Sequence, residues 1–131
     1  MTWPADRIRW ISVYFEHQGK TLWNPSTGLG RWYAALADAA AEVVQAPTGL
    51  TANDDDTYTV DLTALQVFTE KLRRSFFRTQ NPLVHALIEA PLLISLVMLE
   101  RGGIEPAPAT EREAALLNKL EEYSRHMVAE P

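Results

Sequence analysis

The sequence predicts an α+β domain, mostly helical, with an N-terminal β-hairpin packed on about four helices. Three observations carry that expectation. Ile8 to Glu16 (IRWISVYFE) is rich in β-branched and aromatic residues, and Gln18-Gly19 follows it as a two-residue turn. Apolar residues then recur at helical spacing in four later stretches. Those stretches carry helix punctuation: Asn24-Pro25, Asp61, Asn81-Pro82 and Thr110 in front, Pro47-Thr48-Gly49 and Gly102-Gly103 behind.

The hairpin occupies residues 1–24. A turn at Gln18-Gly19 pairs His17 with Lys20, Glu16 with Thr21, Phe15 with Leu22 and Tyr14 with Trp23. Alternation then sends Ile11, Val13, Phe15 and Leu22 to one face, and Trp10, Tyr14 and Trp23 to the other, with Ile8 beside them. Both faces are apolar, so the second one is expected to be covered by another part of the chain, a second copy or a ligand.

The corner TLWNPSTGLGRWY opens the first helix, 24–46. Asn24 is the expected N-cap, with Ser26 or Thr27 as alternatives, and Trp32, Tyr33, Leu36, Ala40, Val43 and Val44 form its apolar stripe. Gly28 and Gly30 suit close packing in the first turn. An anion site assisted by Arg31 is the rival reading, but the Gly-x-Gly lacks a third glycine or a following Lys-Ser/Thr. Residues 48–57 form a polar loop holding Asp54-Asp55-Asp56, and Tyr58 to Val60 a short strand. Asp61 caps the helix 61–79, whose stripe is Leu62, Leu65, Phe68, Leu72 and Phe76. Asn81 and Pro82 start the central helix 82–101, with a kink expected at Pro91. Thr110-x-x-Glu113 has the spacing of a capping box and opens the last helix, 109–128, striped by Leu116, Leu117, Leu120, Tyr123 and Met127.

A chain of 131 residues suits one domain, 1–131, able to bury a core without disulfides or metal. It has no cysteine, which excludes thiolate chemistry and suits a reducing compartment. No signal peptide is visible in MTWPADRIRW, and the most apolar segment, Pro82 to Leu99, is interrupted by His85, Glu89 and Pro91. A cytoplasmic protein that does not engage membranes is expected. The net charge is −5, and residues 34–69 hold six carboxylates with no lysine or arginine. That balance argues against nucleic acid as a partner and suits solubility or a basic partner.

Candidate chemistry is sparse. His85 and Glu89, four apart, share a face of the central helix and are the candidate acid–base pair should the protein be an enzyme. A structural His–Glu or Arg–Glu pair locking the core is the plainer account of them. Asp54, Asp55 and Asp56 do not have the spacing of a calcium loop, so no metal is assigned, and no cofactor motif is present. Lys71, Arg73, Arg74 and Arg78 form a basic face, read as solvated or as partners for the acidic loop. The aromatic set is the strongest anomaly: Trp3, Trp10, Trp23 and Trp32, all before residue 33, with Tyr14 and Tyr33. Such side chains favour surfaces where one end is dry and one wet.

The order strand, TLWNPST, helix, PTGL, acidic loop, VDL helix and LVMLERGG resembles a family of small, functionally uncharacterised actinobacterial proteins, over Val13 to Gly103. The LWNPS corner is the most specific part. The resemblance implies a cytoplasmic single-domain protein and no stated activity. That family's acidic loop tends to end in Asp-Glu, whereas Asp-Asp-Asp-Thr stands here, so no metal role carries across.

Two functions follow as expectations. One is a non-catalytic binding protein of immunity or regulatory type, engaging a partner protein or a second copy through Trp10, Tyr14, Trp23, Trp32, Tyr33 and Arg31 together with the acidic loop. The other is a small enzyme or small-molecule-binding protein of specialised metabolism. Its aromatic pocket would hold an apolar molecule beside His85 and Glu89.

Overall fold

The computed structural model describes residues 12–107 and 110–129. The chain runs β1 (Tyr14–His17), β2 (Lys20–Trp23), α1 (Thr27–Val44), β3 (Leu50–Ala52), β4 (Thr57–Val60), α2 (Leu62–Arg78), α3 (Pro82–Arg101), α4 (Glu111–Leu117) and α5 (Lys119–Arg125). The α+β class and the hairpin-first order are as the sequence predicts. Ile8, Trp10, Ile11 and Trp3 lie outside the described residues.

Gln18 and Gly19 have φ of 49° and 81°, the left-handed pair that a tight hairpin turn demands. His17 pairs with Lys20 and Glu16 with Thr21, as expected. The register then shifts between Phe15 and Glu16, and Phe15 stands opposite Trp23 instead of Leu22. This bulge corrects the predicted faces. Alternation alone puts Leu22 and Trp23 on opposite sides, yet Leu22 is 0% and Trp23 2% exposed.

β4 joins β1 in parallel and β3 pairs antiparallel with β4, giving the order β2-β1-β4-β3. β3 corrects the reading of residues 48–57 as loop. Thr51 and Ala52 are exposed on an edge, so backbone pairing rather than an apolar pattern defines that strand. Phe15 lies between Tyr58 and Trp23, stacked at centroid distances of 4.6 and 5.1 Å. Tyr33 of α1 meets Phe15 and Trp23 edge-on at 5.6 and 5.5 Å. The other face carries Glu16, Thr21, Thr57 and Thr59, with Tyr14 half-buried. Among the described residues the sheet is therefore apolar on one side only, with Ile8 and Trp10 of the expected second face outside them.

Ser26, not Asn24, caps α1: its Oγ accepts from Leu29 N at 3.2 Å. Asn24 serves elsewhere, donating its backbone N–H to Val128 O at 2.6 Å. Gly30 is where α1 crosses β1. A Cβ there would collide with the Val13 side chain and stand 3.1 Å from Pro25, whereas Gly28 faces open space. The buried face of α1 is Gly30, Tyr33 and Ala37. Trp32, Leu36 and Val43, expected in the buried stripe, are 69, 38 and 82% exposed.

α2 follows its predicted stripe. Asp61 Oδ1 accepts from Ala64 N at 3.1 Å, and Leu62, Leu65, Phe68, Leu72 and Phe76 are buried. In α3, Asn81 Oδ1 accepts from Leu83 N at 2.9 Å, and the helix runs through Pro91 to Arg101. It is long and apolar enough to cross a membrane by length and composition, yet its second half, from Pro91 to Leu99, is the centre of the core.

The last predicted helix is two, divided at Asn118, and they bury Leu116 and Leu120. The capping box is also corrected. Thr110 accepts no side-chain cap bond, its hydroxyl donates to Glu113 Oε1 at 3.1 Å, and Glu113 pairs with Arg73 instead.

Candidate functional site

His85 and Glu89 occupy one side of α3, each with structural partners of its own. His85 Nε2 lies 2.7 Å from Thr79 O and 2.9 Å from Phe76 O, and its ring stacks on Phe76 at 3.9 Å. One ring N–H thus serves carbonyls that the end of α2 leaves without helical partners. Glu89 accepts from Lys119 Nζ at 2.7 Å and from the Tyr123 hydroxyl at 3.1 Å. Burial first, then the Glu89 charge, pushes the Tyr123 phenol up to about 12. The structural pairing expected for Glu89 is present, but with Lys119 and Tyr123 rather than with a histidine or arginine. A cleft of about 320 Å³ between α2, α3 and α4 reaches both side chains. None of the aromatic candidates Tyr14, Trp23, Trp32 or Tyr33 lines it.

Those candidates are dispersed. Trp23 and Tyr33 are core residues. The Tyr33 hydroxyl lies 2.6 Å from Ser95 Oγ, which donates its own hydrogen to Pro91 O at 2.5 Å, so Tyr33 is the donor between them. Complete burial drives the Tyr33 phenol strongly upward. Trp32 and Arg31 are exposed on α1, and Tyr14 is half-buried at the sheet. Trp10 lies outside the described residues.

The charged candidates are quiet too. Asp56 makes the tight β3–β4 turn with φ 61°, Asp55 accepts from Thr57 at 2.6 Å, and Asn53 donates to Thr57 and Thr59. Among the described residues no three His, Cys, Asp or Glu side chains gather to hold a metal. Arg73 is not a partner of this loop: its Nε donates to Glu113 Oε2 at 2.6 Å and its Nη1 to Ala107 O at 3.0 Å. That pair forms one wall of a recess of about 540 Å³ over α2. Lys71, Arg74 and Arg78 stand together at the C-terminal end of α1, where Lys71 reaches Gln45 O at 3.3 Å.

Arg101 is a structural side chain that the sequence did not single out. Its Nη1 donates to Leu22 O at 2.8 Å and its Nη2 to Met127 O at 2.6 Å and Ser124 O at 3.1 Å. One guanidinium thereby ties β2 and the residues after α5 to the end of α3. Desolvation lowers its pKa, partly opposed by Glu100.

The largest departure from expectation lies between α1 and the first half of α3. A groove of about 370 Å³ has Leu36, Ala40 and Val43 on one wall, Val84 and Leu87 on the other, and Leu72 as its floor. It continues the exposed side chains Leu29 and Trp32 along α1 and Leu83 on α3. Val43 is 82%, Leu83 74%, Leu87 71% and Trp32 69% exposed. A signal for it was present in the sequence. Pro82 to Ala90 is apolar on nearly every side, and such a helix needs cover on every side. Leu29, Trp32, Leu36 and Val43 likewise form a second stripe beside the one through Tyr33 and Ala37.

The chain matches no curated protein and no solved structure. A family of unknown function, DUF6086, matches residues 11–129, nearly the whole chain, and the protein belongs to that family.

Proposed function

We propose that this is a non-catalytic binding protein that engages a protein partner through the apolar seam of α1 and α3. The observation that carries the reading is the groove lined by Val43 and Leu87, with Trp32 one helical turn from its Leu36 and Leu83 one turn before Leu87; Trp32, Val43, Leu83 and Leu87 are each more than two-thirds exposed. Monomers rarely leave a continuous apolar patch larger than a few hundred Å² open to water. The six large side chains Leu29, Trp32, Leu36, Val43, Leu83 and Leu87 together expose on the order of 600 Å², near the ~800 Å² per partner of a standard interface. The contact surface thus moves from the hairpin, whose Trp23 is buried, to the helices. Of the aromatic candidates only Trp32 stays on it. The reading includes cytoplasmic residence in an actinobacterial cell and an immunity or regulatory role, with the exposed Asp54 and Asp55 open to basic side chains of a partner.

A photo-crosslinking residue placed at Leu87 tests this in living cells, with the exposed position Thr63 on α2 as control. Position 87 is expected to give a discrete crosslinked protein product that position 63 does not. Absence of any such product from 87 ends the proposal.

The cleft beside His85 and Glu89 favours a second reading, a small-molecule-binding protein acting on an apolar compound. Titration with indole as a probe, followed by the NMR signals of the His85 ring, checks it. Unmoved signals at saturating probe remove this alternative.

A further inference from the structure

The seam has a polarity that says what covers it. It runs the length of α1, about 21 Å from Leu29 to Val43 at 1.5 Å per residue. At its Leu29 end the neighbours are Ile94 of α3 and Glu122, Tyr123 and His126 of the C-terminal segment. At its Val43 end the neighbours are Lys71, Arg74 and Arg78 of α2. Glu122 and Arg74 have no ion-pair partner among the described residues. One end of the apolar strip is therefore bordered by a carboxylate and the other by three cations, with no charged side chain lining the groove between.

We infer that the partner is a second copy of this chain, laid across the seam about a two-fold axis perpendicular to α1. This rests on the seam being a docking face, as proposed above, and deepens that reading. A two-fold axis in that direction exchanges the two ends of the strip. It sets Glu122 of each copy against the Lys71, Arg74 and Arg78 end of the other, and lays the Trp32 end of one α1 toward the Val43 end of the other, with Leu36 and Leu87 in the middle. A parallel arrangement would stack the three cations of one copy on those of the other, which like-charge repulsion opposes. Self-complementarity of this kind is what an isologous interface requires. The helices α1 and α3 of each copy would then form a four-helix layer whose interior is the present groove.

Sedimentation velocity across the micromolar range tests the inference. The expected species has twice the mass of the 14.7 kDa chain. Leu87→Glu puts a charge in the middle of the seam and is expected to weaken self-association at least about tenfold, with far-UV circular dichroism unchanged and melting unchanged at concentrations where both proteins are dissociated. Arg74→Glu and Glu122→Lys are each expected to weaken it several-fold, and the double variant to recover toward wild type. A wild-type protein that stays monomeric throughout overturns the inference, as does a Leu87→Glu dimer of undiminished affinity. A double variant as weak as either single one overturns the antiparallel arrangement. The crosslink from position 87 separates the two levels. A product of twice the chain mass supports both, a product with a different protein keeps the docking face and removes the homodimer, and no product removes both.

Discussion

The two halves of α3 are both mostly apolar, the first interrupted by His85 and Glu89, and their large aliphatic side chains have opposite fates. From Pro91 to Leu99 every side chain but Ile94 is buried, whereas Leu83 and Leu87 in the first half are mostly in water. The difference is one of neighbours. α3 as a whole packs against α1, α2, α5 and β2, but in its first half α5 reaches only the Glu89 side, and Leu83 and Leu87 have no more than the edge of α1 beside them. Hydrophobicity of a segment states how much cover it needs, and the fold decides whether one chain supplies it.

The contrast can be broken or sharpened along α3. Leu93→Ala opens a cavity in the buried half and is expected to lower the free energy of unfolding by about 3 kcal/mol in urea titrations. A loss under about 1 kcal/mol would mean the core there is loose. Arg101→Met keeps the aliphatic stem but leaves Leu22 O and Met127 O without their donor, with an expected loss of about 2 kcal/mol. Faster hydrogen exchange confined to β2 and the C-terminal segment should accompany it.

Tyr33→Phe removes only the bond to Ser95, since Ser95 keeps Pro91 O, and is expected to cost about 1 kcal/mol. At the boundary between the halves stands the Glu89–Tyr123 contact. A phenol held at about 12 favours the folded state fully below its ordinary pKa near 10, and that contribution fades as pH rises from there toward 12. Tyr33 shifts in the same direction. Stability should therefore fall above pH about 10, and Glu89→Gln should bring the Tyr123 phenolate absorbance step to lower pH. The smallest effect belongs to the exposed half: Leu87→Ser is expected to change monomer stability by no more than about 0.5 kcal/mol. A large loss there, read by urea titration of the dissociated protein, would mean the seam is part of the core.

Much of the fold was legible because local chemistry dictates it. Gln18-Gly19 forms its turn, and Asp61 and Asn81 cap their helices through their own side chains. The stripe of α2 buries as its spacing predicts. What escaped were features that depend on residues distant in sequence. Asn24 has the chemistry of a cap, but α1 starts only at Thr27, where the Ser26 hydroxyl is in place to cap it, and Asn24 contributes its backbone N–H to Val128. Thr110 and Glu113 have capping-box spacing, but Arg73 draws the carboxylate away. The bulge at Phe15 brings Trp23 into the core, where Tyr33 and Tyr58 complete the aromatic cluster around it and Phe15. The candidate site was legible only as an excess of apolar surface. The tryptophans point to the hairpin, whereas among the described residues the large exposed side chains Trp32, Val43, Leu83 and Leu87 stand on α1 and α3.

By itself the amino-acid order determined the α+β class, the turn, the helix starts and the amount of greasy surface to be covered. These follow from backbone preferences and from spacings within a few residues. Only the folded arrangement decided which side chains receive that cover: Trp23 and Leu93 inside, Trp32 and Leu87 outside. Burial depends on how many elements converge on one point, a property of packing in three dimensions that no stretch of a single helix records.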